Sequence, residues 1–167
     1  LQPEEVTSFE MGYRTELLHK KLALDIDFYY NQYKNLMAQI DANVPKDNGL
    51  DVATNLQNSS NQDRYRLWTN SKTISYNYGS SLGMSYELPQ YYKISGNVTY
   101  SKLDRKDQND GLEDGFNTPE WSYNISIGNP KIYKSLGFTI TLRHQNSFLW
   151  QSALATGTVP SYTTLDA

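Results

Sequence analysis

At 167 residues and 19.2 kDa, the chain has the length of one domain or of a piece of one. A net charge of −3 and a pI near 5.3 give no support to nucleic-acid binding, and the absence of cysteine removes disulfides and thiolate metal sites. The mean hydropathy of −0.68, with no apolar run near the ~20 residues of a spanning helix, excludes a helical membrane bundle, while an aromatic content of 13 % argues against disorder.

Period-two alternation recurs along the chain and helical periodicity is nearly absent. The first predicted strand runs from Val6 to Leu17, with Phe9, Met11, Tyr13 and Leu17 on one face and Ser8, Glu10, Gly12, Arg14 and Glu16 on the other. A short charged turn, Leu18 to Lys21, leads to a second strand. There Leu22, Leu24, Ile26, Phe28 and Tyr30 oppose Ala23, Asp25, Asp27, Tyr29 and Asn31. Closing this hairpin with Leu17 opposite Leu22 sets Tyr13 against Ile26 and Arg14 against Asp25. Apolar then meets apolar and opposite charges meet in one register, each pair contributing about 0.2–1 kcal/mol.

Asp41 to Asp63 reads as a long polar loop. The third strand carries Ile74, Tyr76, Tyr78, Leu82, Met84, Tyr86 and Leu88 on one face. Its other face is small or polar, and Arg64 to Lys72 is read as an extension of it. After a turn at Pro89–Tyr91, strand four sets Ile94, Val98 and Tyr100 against Lys93, Ser95, Asn97, Thr99 and Ser101. A second polar loop covers Asp104 to Pro119. Strand five sets Trp121, Tyr123, Ile125 and Ile127 against Ser122, Asn124, Ser126 and Gly128, and turns at Asn129-Pro130. Strand six sets Phe138, Ile140 and Leu142 against Gly137, Thr139, Thr141 and Arg143. A third loop, Ser152 to Pro160, precedes the start of a seventh strand at Tyr162.

The connections alternate short and long, and each strand has one apolar-aromatic face and one face of Ser, Thr, Asn and Gly with few charges. Tyr29, Tyr30, Tyr33, Trp68, Tyr91, Tyr92, Trp121, Tyr133 and Trp150 concentrate near predicted strand ends. Aromatic girdles, short turns at one end and long loops at the other are the pattern of an outer-membrane barrel. In hydrocarbon, strands survive only where every backbone N–H and C=O is paired. The expected fold is all-β, an antiparallel up-and-down meander forming part of a transmembrane β-barrel. The chain starts without an initiator Met or a signal segment and stops in sequence that reads as structured, so residues 1–167 are expected to be a fragment of that barrel domain. The alternative is a soluble all-β ligand- or carbohydrate-binding module whose apolar rows form an internal core.

Pro3, Glu4, Thr7, Ser8, Phe9, Glu10, Gly12 and Tyr13, followed by Tyr29-Tyr30-Asn31, resemble the barrel of TonB-dependent outer-membrane receptors, as do Phe116-Asn117-Thr118-Pro119 and the run from Val159 to Ala167. The likeness points to the large Bacteroidetes-type receptors related to the SusC/RagA group. It implies a barrel of about 22 strands around a plug, of which this chain supplies about seven, with the plug domain outside it. It further implies residence in the Gram-negative outer membrane and TonB-energised import of a scarce nutrient. The partners so implied are the plug, the TonB complex, membrane lipid and a surface lipoprotein.

Glu10, Arg14, Asp25, Asp27, Lys93 and Arg143 fall on the polar faces and are the candidates for contact with the plug or the passing substrate. Asp25 and Asp27 share a face, as a general acid/base pair would, but Arg14 opposite Asp25 makes structural neutralisation the preferred reading. His19 and His144 are far apart in sequence and are read as solvated or interfacial, so no metal site is expected. The acidic run Asp104 to Asp114 lacks the ligand spacing of a calcium loop and is read as a solvated loop. Asn58, Asn97 and Asn124 open glycosylation sequons, but two of them sit within strands and the matches are read as chance. No nucleophile elbow, phosphate loop or zinc motif is present; neither an enzyme nor a cofactor is expected.

Overall fold

The computed structural model describes residues 1–105, 112, 115–152 and 155–167. In chain order the strands are β1 (Glu5–Leu17), β2 (Leu22–Lys34), β3 (Met37–Pro45), β4 (Gln62–Asn70), β5 (Ser75–Glu87), β6 (Lys93–Arg105), β7 (Trp121–Tyr133), β8 (Leu136–Gln145), β9 (Phe148–Gln151), β10 (Thr156–Val159) and β11 (Tyr162–Asp166). One short helix, α1 (Val52–Leu56), lies between β3 and β4 in the chain. A seven-stranded sheet has the order β1-β2-β5-β6-β7-β8-β11, with neighbours following one another along the chain except where the β3–β4 and β9–β10 hairpins intervene. This is the expected meander of about seven strands.

The expected register of the first hairpin is present in its diagnostic pair. Arg14 donates from both Nε and Nη2 to Asp25 Oδ2, the former at 2.9 Å. A Cβ built on Gly12 would lie 2.6 Å from Asp27 Oδ1, so Gly12 and Asp27 also meet, one step along the same register. Farther along the sheet, β6, β7 and β8 pair Ile94 with Ile127 and Ile127 with Ile140 on the apolar face. Asn97 pairs with Asn124 and Asn124 with Arg143 on the polar face. A slip of one residue in any of these strands would exchange the two faces.

Four boundaries differ from the sequence expectation. The stretch read as a loop from Asp41 to Asp63 holds the end of β3, α1 and the start of β4. The alternation Gln39-Ile40-Asp41-Ala42-Asn43-Val44 is hidden there because Ala38 and Ala42, two of the apolar members of its row, are small and stand amid polar residues. Arg64 to Lys72 does not extend β5: β4 ends at Asn70 and pairs with β3 in a separate two-stranded sheet. The turn placed at Asn129-Pro130 falls at Lys134, a left-handed residue with φ 52, because the strand absorbs the proline at a register shift between Asn129 and Tyr133. Within the Ser152–Pro160 loop, β10 pairs back onto β9.

The distribution of exposure is inverted relative to a soluble sheet protein. Among the described residues, Ala38 is the only buried hydrophobic side chain, whereas Ser75, Asn77, Ser101 and Asn129 are buried. On the apolar face Phe9 is 69 % exposed, Met11 58 % and Ile125 54 %. Along β7 from Trp121 to Gly128 the aromatic and aliphatic residues are the exposed ones, and Ser122, Asn124, Ser126 and Gly128 are half-buried. The soluble-module alternative requires these rows to pack into an internal core, and they do not.

The polar side is knit by close approaches instead. The Tyr29 hydroxyl on β2 reaches Ser101 Oγ on β6 at 2.5 Å, passing over Gly79 of β5. A Cβ on Gly79 would lie 2.6 Å from the Tyr29 hydroxyl and would collide with the Tyr100 carbonyl oxygen. Tyr29 therefore belongs to the polar face and not to an aromatic girdle. At the other end of the sheet Asn129, opposite Phe138 in the apolar-face row, is buried by local bonds of its own: its Nδ2 donates to the Gln90 carbonyl at 2.9 Å, and its Oδ1 accepts from Lys131 N at 2.8 Å. Replacing Tyr29 by Phe removes one hydrogen bond and is expected to lower the stability of the refolded barrel by about 1 kcal/mol. Gly79→Ala, which forces backbone apart, is expected to cost more. Urea titration of the receptor in lipid vesicles checks both, and an unchanged midpoint in the Gly79→Ala variant would remove the close-packing argument.

Candidate functional site

The polar face of the seven-stranded sheet carries an open concavity of about 410 Å3. Its lining includes the Arg14–Asp25 pair from β1 and β2, Ser85 from β5, Ser95 and Asn97 from β6, and Asn124 from β7. The hollow exists because the residues between the charged pair and the asparagines are small. Gly83 lies 3.6 Å, measured from a built Cβ, from the Asp25 Cβ, so no side chain stands between the two strands there. Asn124 Nδ2 donates to Asn97 Oδ1 across the β6–β7 register, and Ser126 and Thr141 hydroxyls meet at 2.8 Å on the next row. The two sequon asparagines inside strands are thus occupied with each other.

The six residues singled out by sequence distribute as follows. Arg14 and Asp25 are brought together in the hollow; Asp27 is exposed, beside Gly12, and accepts from Ser81 Oγ at 3.4 Å. Arg143, across from Asn124 and Thr164, has its Nε 3.8 Å from Asp166 Oδ2. Glu10 is exposed on β1, and Lys93 is exposed at the short-turn end of β6, opposite Gly128. The arrangement is therefore a row of hydroxyls and amides with two internally compensated ion pairs. It offers hydrogen bonds and fixed charges. Sequence reading missed Asp166 as a partner, because the seventh strand was recognised only as a beginning. It also missed the hollow, whose only signal was the run of small residues at Gly83, Ser85 and Ser95.

On the opposite face, ring centroids of Tyr30 and Tyr76 are 5.7 Å apart, Tyr78 and Tyr100 6.4 Å, and Tyr100 and Trp121 4.7 Å. This row lies at the end of the sheet where the connections are long. At the short-turn end, Tyr92 meets Phe138 edge-on at 6.4 Å. His144 stacks on Tyr123 at 5.0 Å and its Nδ1 lies 2.8 Å from Thr163 Oγ1. His19 is exposed in the Leu18–Lys20 turn. The acidic run from Asp104 to Asp114 falls largely on residues 106–111, 113 and 114, outside the described residues.

A family model described as TonB dependent receptor-like, beta-barrel, matches residues 1–167. The chain belongs to the TonB-dependent receptor β-barrel family. Barrels of this family reside in the outer membrane of Gram-negative bacteria, and the exposed apolar rows of this receptor segment fit that residence. Among solved structures the chain is similar to the FrpB iron transporter from Neisseria meningitidis (F3-3 variant), with a TM-score of 0.60 and 15 % identity over 96 % of this chain. The match spans 22 % of the transporter's chain and concerns the fold alone. No curated protein sequence matches the chain.

The β3–β4 hairpin of this receptor segment, in the long connection between β2 and β5, is its other polar cluster. Asp41 accepts from Arg64 Nη2 and, at 3.3 Å, from Arg66 Nε. The hydrogen bond from Arg64, and then that from Arg66, holds the Asp41 carboxyl below its ordinary value of 3.8. A depressed carboxyl stabilises the hairpin fully above that ordinary value, and the contribution is lost as pH falls through the lowered value. Amide exchange across β3 and β4, corrected for intrinsic rates, is expected to show protection declining only below pH 3.8. In Asp41→Asn this decline should vanish, and a wild-type hairpin without it would refute the pairing.

Proposed function

We propose that the chain is part of the barrel wall of an outer-membrane receptor that imports a scarce nutrient in a TonB-energised cycle, and that this receptor is of the large Bacteroidetes type related to the SusC/RagA group. The observation that carries the reading is the two-faced sheet: exposed apolar rows on one side, and on the other a hydroxyl- and amide-lined surface with compensated charges. The apolar rows meet lipid. The polar face lines the lumen, where a plug domain of the same receptor fills the space and a nutrient passes when TonB acts on the plug.

Within that lumen the candidate residues divide by chemistry. Arg14 and Arg143 are held by Asp25 and Asp166 and act as fixed parts of the wall. Glu10, Asp27 and Lys93, all exposed, present charge to the plug. A filled lumen must satisfy such charges, since a buried unpaired ion is costly. A surface lipoprotein would meet the long connections; the exposed Leu50, Val52 and Leu56 around α1, in the β3–β4 connection, are apolar contacts of the kind such a partner covers.

Two measurements test the reading. Ile140→Arg places a cation in mid-β8 on the apolar face and is expected to cost about 2–4 kcal/mol in barrel assembly; normal assembly and heat resistance of this variant would mean that the face does not meet lipid. A cysteine replacing Asp27 in the intact receptor is expected to cross-link to cysteines placed on the plug surface, whereas one replacing Ile140 is not. Cross-linking of both, or of neither, would reverse or remove the assignment of the lumen.

A further inference from the structure

The apolar face is interrupted at one place. Gly96 is the fourth residue of β6, toward its short-turn end, between Ile94 and Val98 of the same face and directly across from Ile125 on β7. It opens a groove of about 310 Å3, rimmed by Leu82 and Met84 on one side and Tyr123 and Ile125 on the other. The groove is fixed by backbone and cannot be filled from its floor: a Cβ at Gly96 would lie 2.5 Å from the Asn124 carbonyl oxygen and 3.3 Å from the Ile125 Cα. Its effect on the neighbouring side chain is visible, since Ile125 is 54 % exposed against 39 % for both Ile127 and Ile140.

We propose that this groove seats one acyl chain of a bilayer phospholipid. It is continuous with the apolar rows of β7 and β8, which face the membrane in an outer-membrane barrel, so what surrounds it is hydrocarbon. Along the strand it is bounded by the side chains of Ile94 and Val98, whose backbones are about 13 Å apart at ~3.3 Å per residue. An empty depression in such a surface leaves its walls without contact atoms, and a flexible unbranched chain is the bilayer component that can bend into a gap one residue long. The seat holds a chain longer than the neighbouring flat surface does, because the chain touches the groove on three sides instead of one. The inference rests on the apolar rows facing lipid, which Ile140→Arg addresses separately.

The test is native mass spectrometry of the intact receptor released from phosphatidylethanolamine vesicles, reading the fraction that retains one phospholipid. Ile125→Phe lays a ring across Gly96 and closes the groove, as aromatic residues do over strand glycines. Retention is expected to weaken about tenfold, the equivalent of about two methylene contacts, while Ile140→Phe, outside the groove, leaves it unchanged. Met84→Phe closes the groove from the opposite rim and serves if the first variant assembles poorly. Equal retention in the wild-type and closed-groove proteins overturns the proposal, as does equal loss in Ile140→Phe. A receptor dimer that dissociates on closing the groove would also overturn it, because the occupant would then be a second copy.

Discussion

Every strand of a β-sheet presents its backbone N–H and C=O groups sideways, in the plane of the sheet. In hydrocarbon those groups have no water to turn to, and each one left unpaired costs several kcal/mol. Lateral pairing is therefore the constraint on which the rest of this structure depends. It is met here by the plainest connectivity available, with each strand of the sheet lying beside the strand that follows it, so that β6 pairs with β7 through an unbroken register and β7 with β8 through one interrupted only between Asn129 and Tyr133. Once the backbone is satisfied within the sheet, neither face has to be buried against a second layer of protein. One face can meet lipid and the other can meet whatever fills the lumen.

That freedom explains the inverted burial. A soluble sheet gains stability by hiding its apolar row; this one hides Ser75, Asn77, Ser101 and Asn129 and leaves Phe9, Met11 and Ile125 outside. On the polar side, small residues do the work that bulky ones do in a core. Gly79 lets the Tyr29 ring lie flat and reach Ser101 two strands away, so one hydrogen bond ties three strands. Gly83 and Ser85 hold open the hollow in which Arg14 and Asp25 sit. Glycine and serine weaken a strand as isolated residues, yet here they permit close side-chain crossings that no larger residue allows.

The faces were legible in the sequence because period two is strict in a strand. The Arg14–Asp25 register could be read because two strands, each interpreted alone, agreed on the same pairing. What could not be read depends on longer-range geometry. The alternation in β3 was hidden by small apolar residues, Ala38 and Ala42, amid polar ones. The proline at position 130 was taken as a turn signal, although an irregular strand end tolerates it. Alternation alone sets Tyr29 on the polar face with Asp25 and Asp27, while its strand-end position and aromatic character suggest a girdle; its crossing over Gly79 to Ser101 decides for the polar face. The Arg143–Asp166 pair required knowing that β11 lies beside β8, which follows from topology and not from any local pattern.

The low mean hydropathy and the membrane setting are consequences of the same arithmetic. A spanning strand offers the bilayer only alternate residues, and β7 shows the division plainly: Trp121, Tyr123, Ile125 and Ile127 outward, Ser122, Asn124, Ser126 and Gly128 inward. The inward set does not need to be hydrophobic, because it is not the set offered to the bilayer. Charges on that set can be held by partners on the sheet itself, as Arg14 is by Asp25, so that they need no second layer of protein to compensate them. Asp27, exposed and accepting from Ser81 Oγ at 3.4 Å, keeps hydrogen-bonding capacity toward whatever lies over that face.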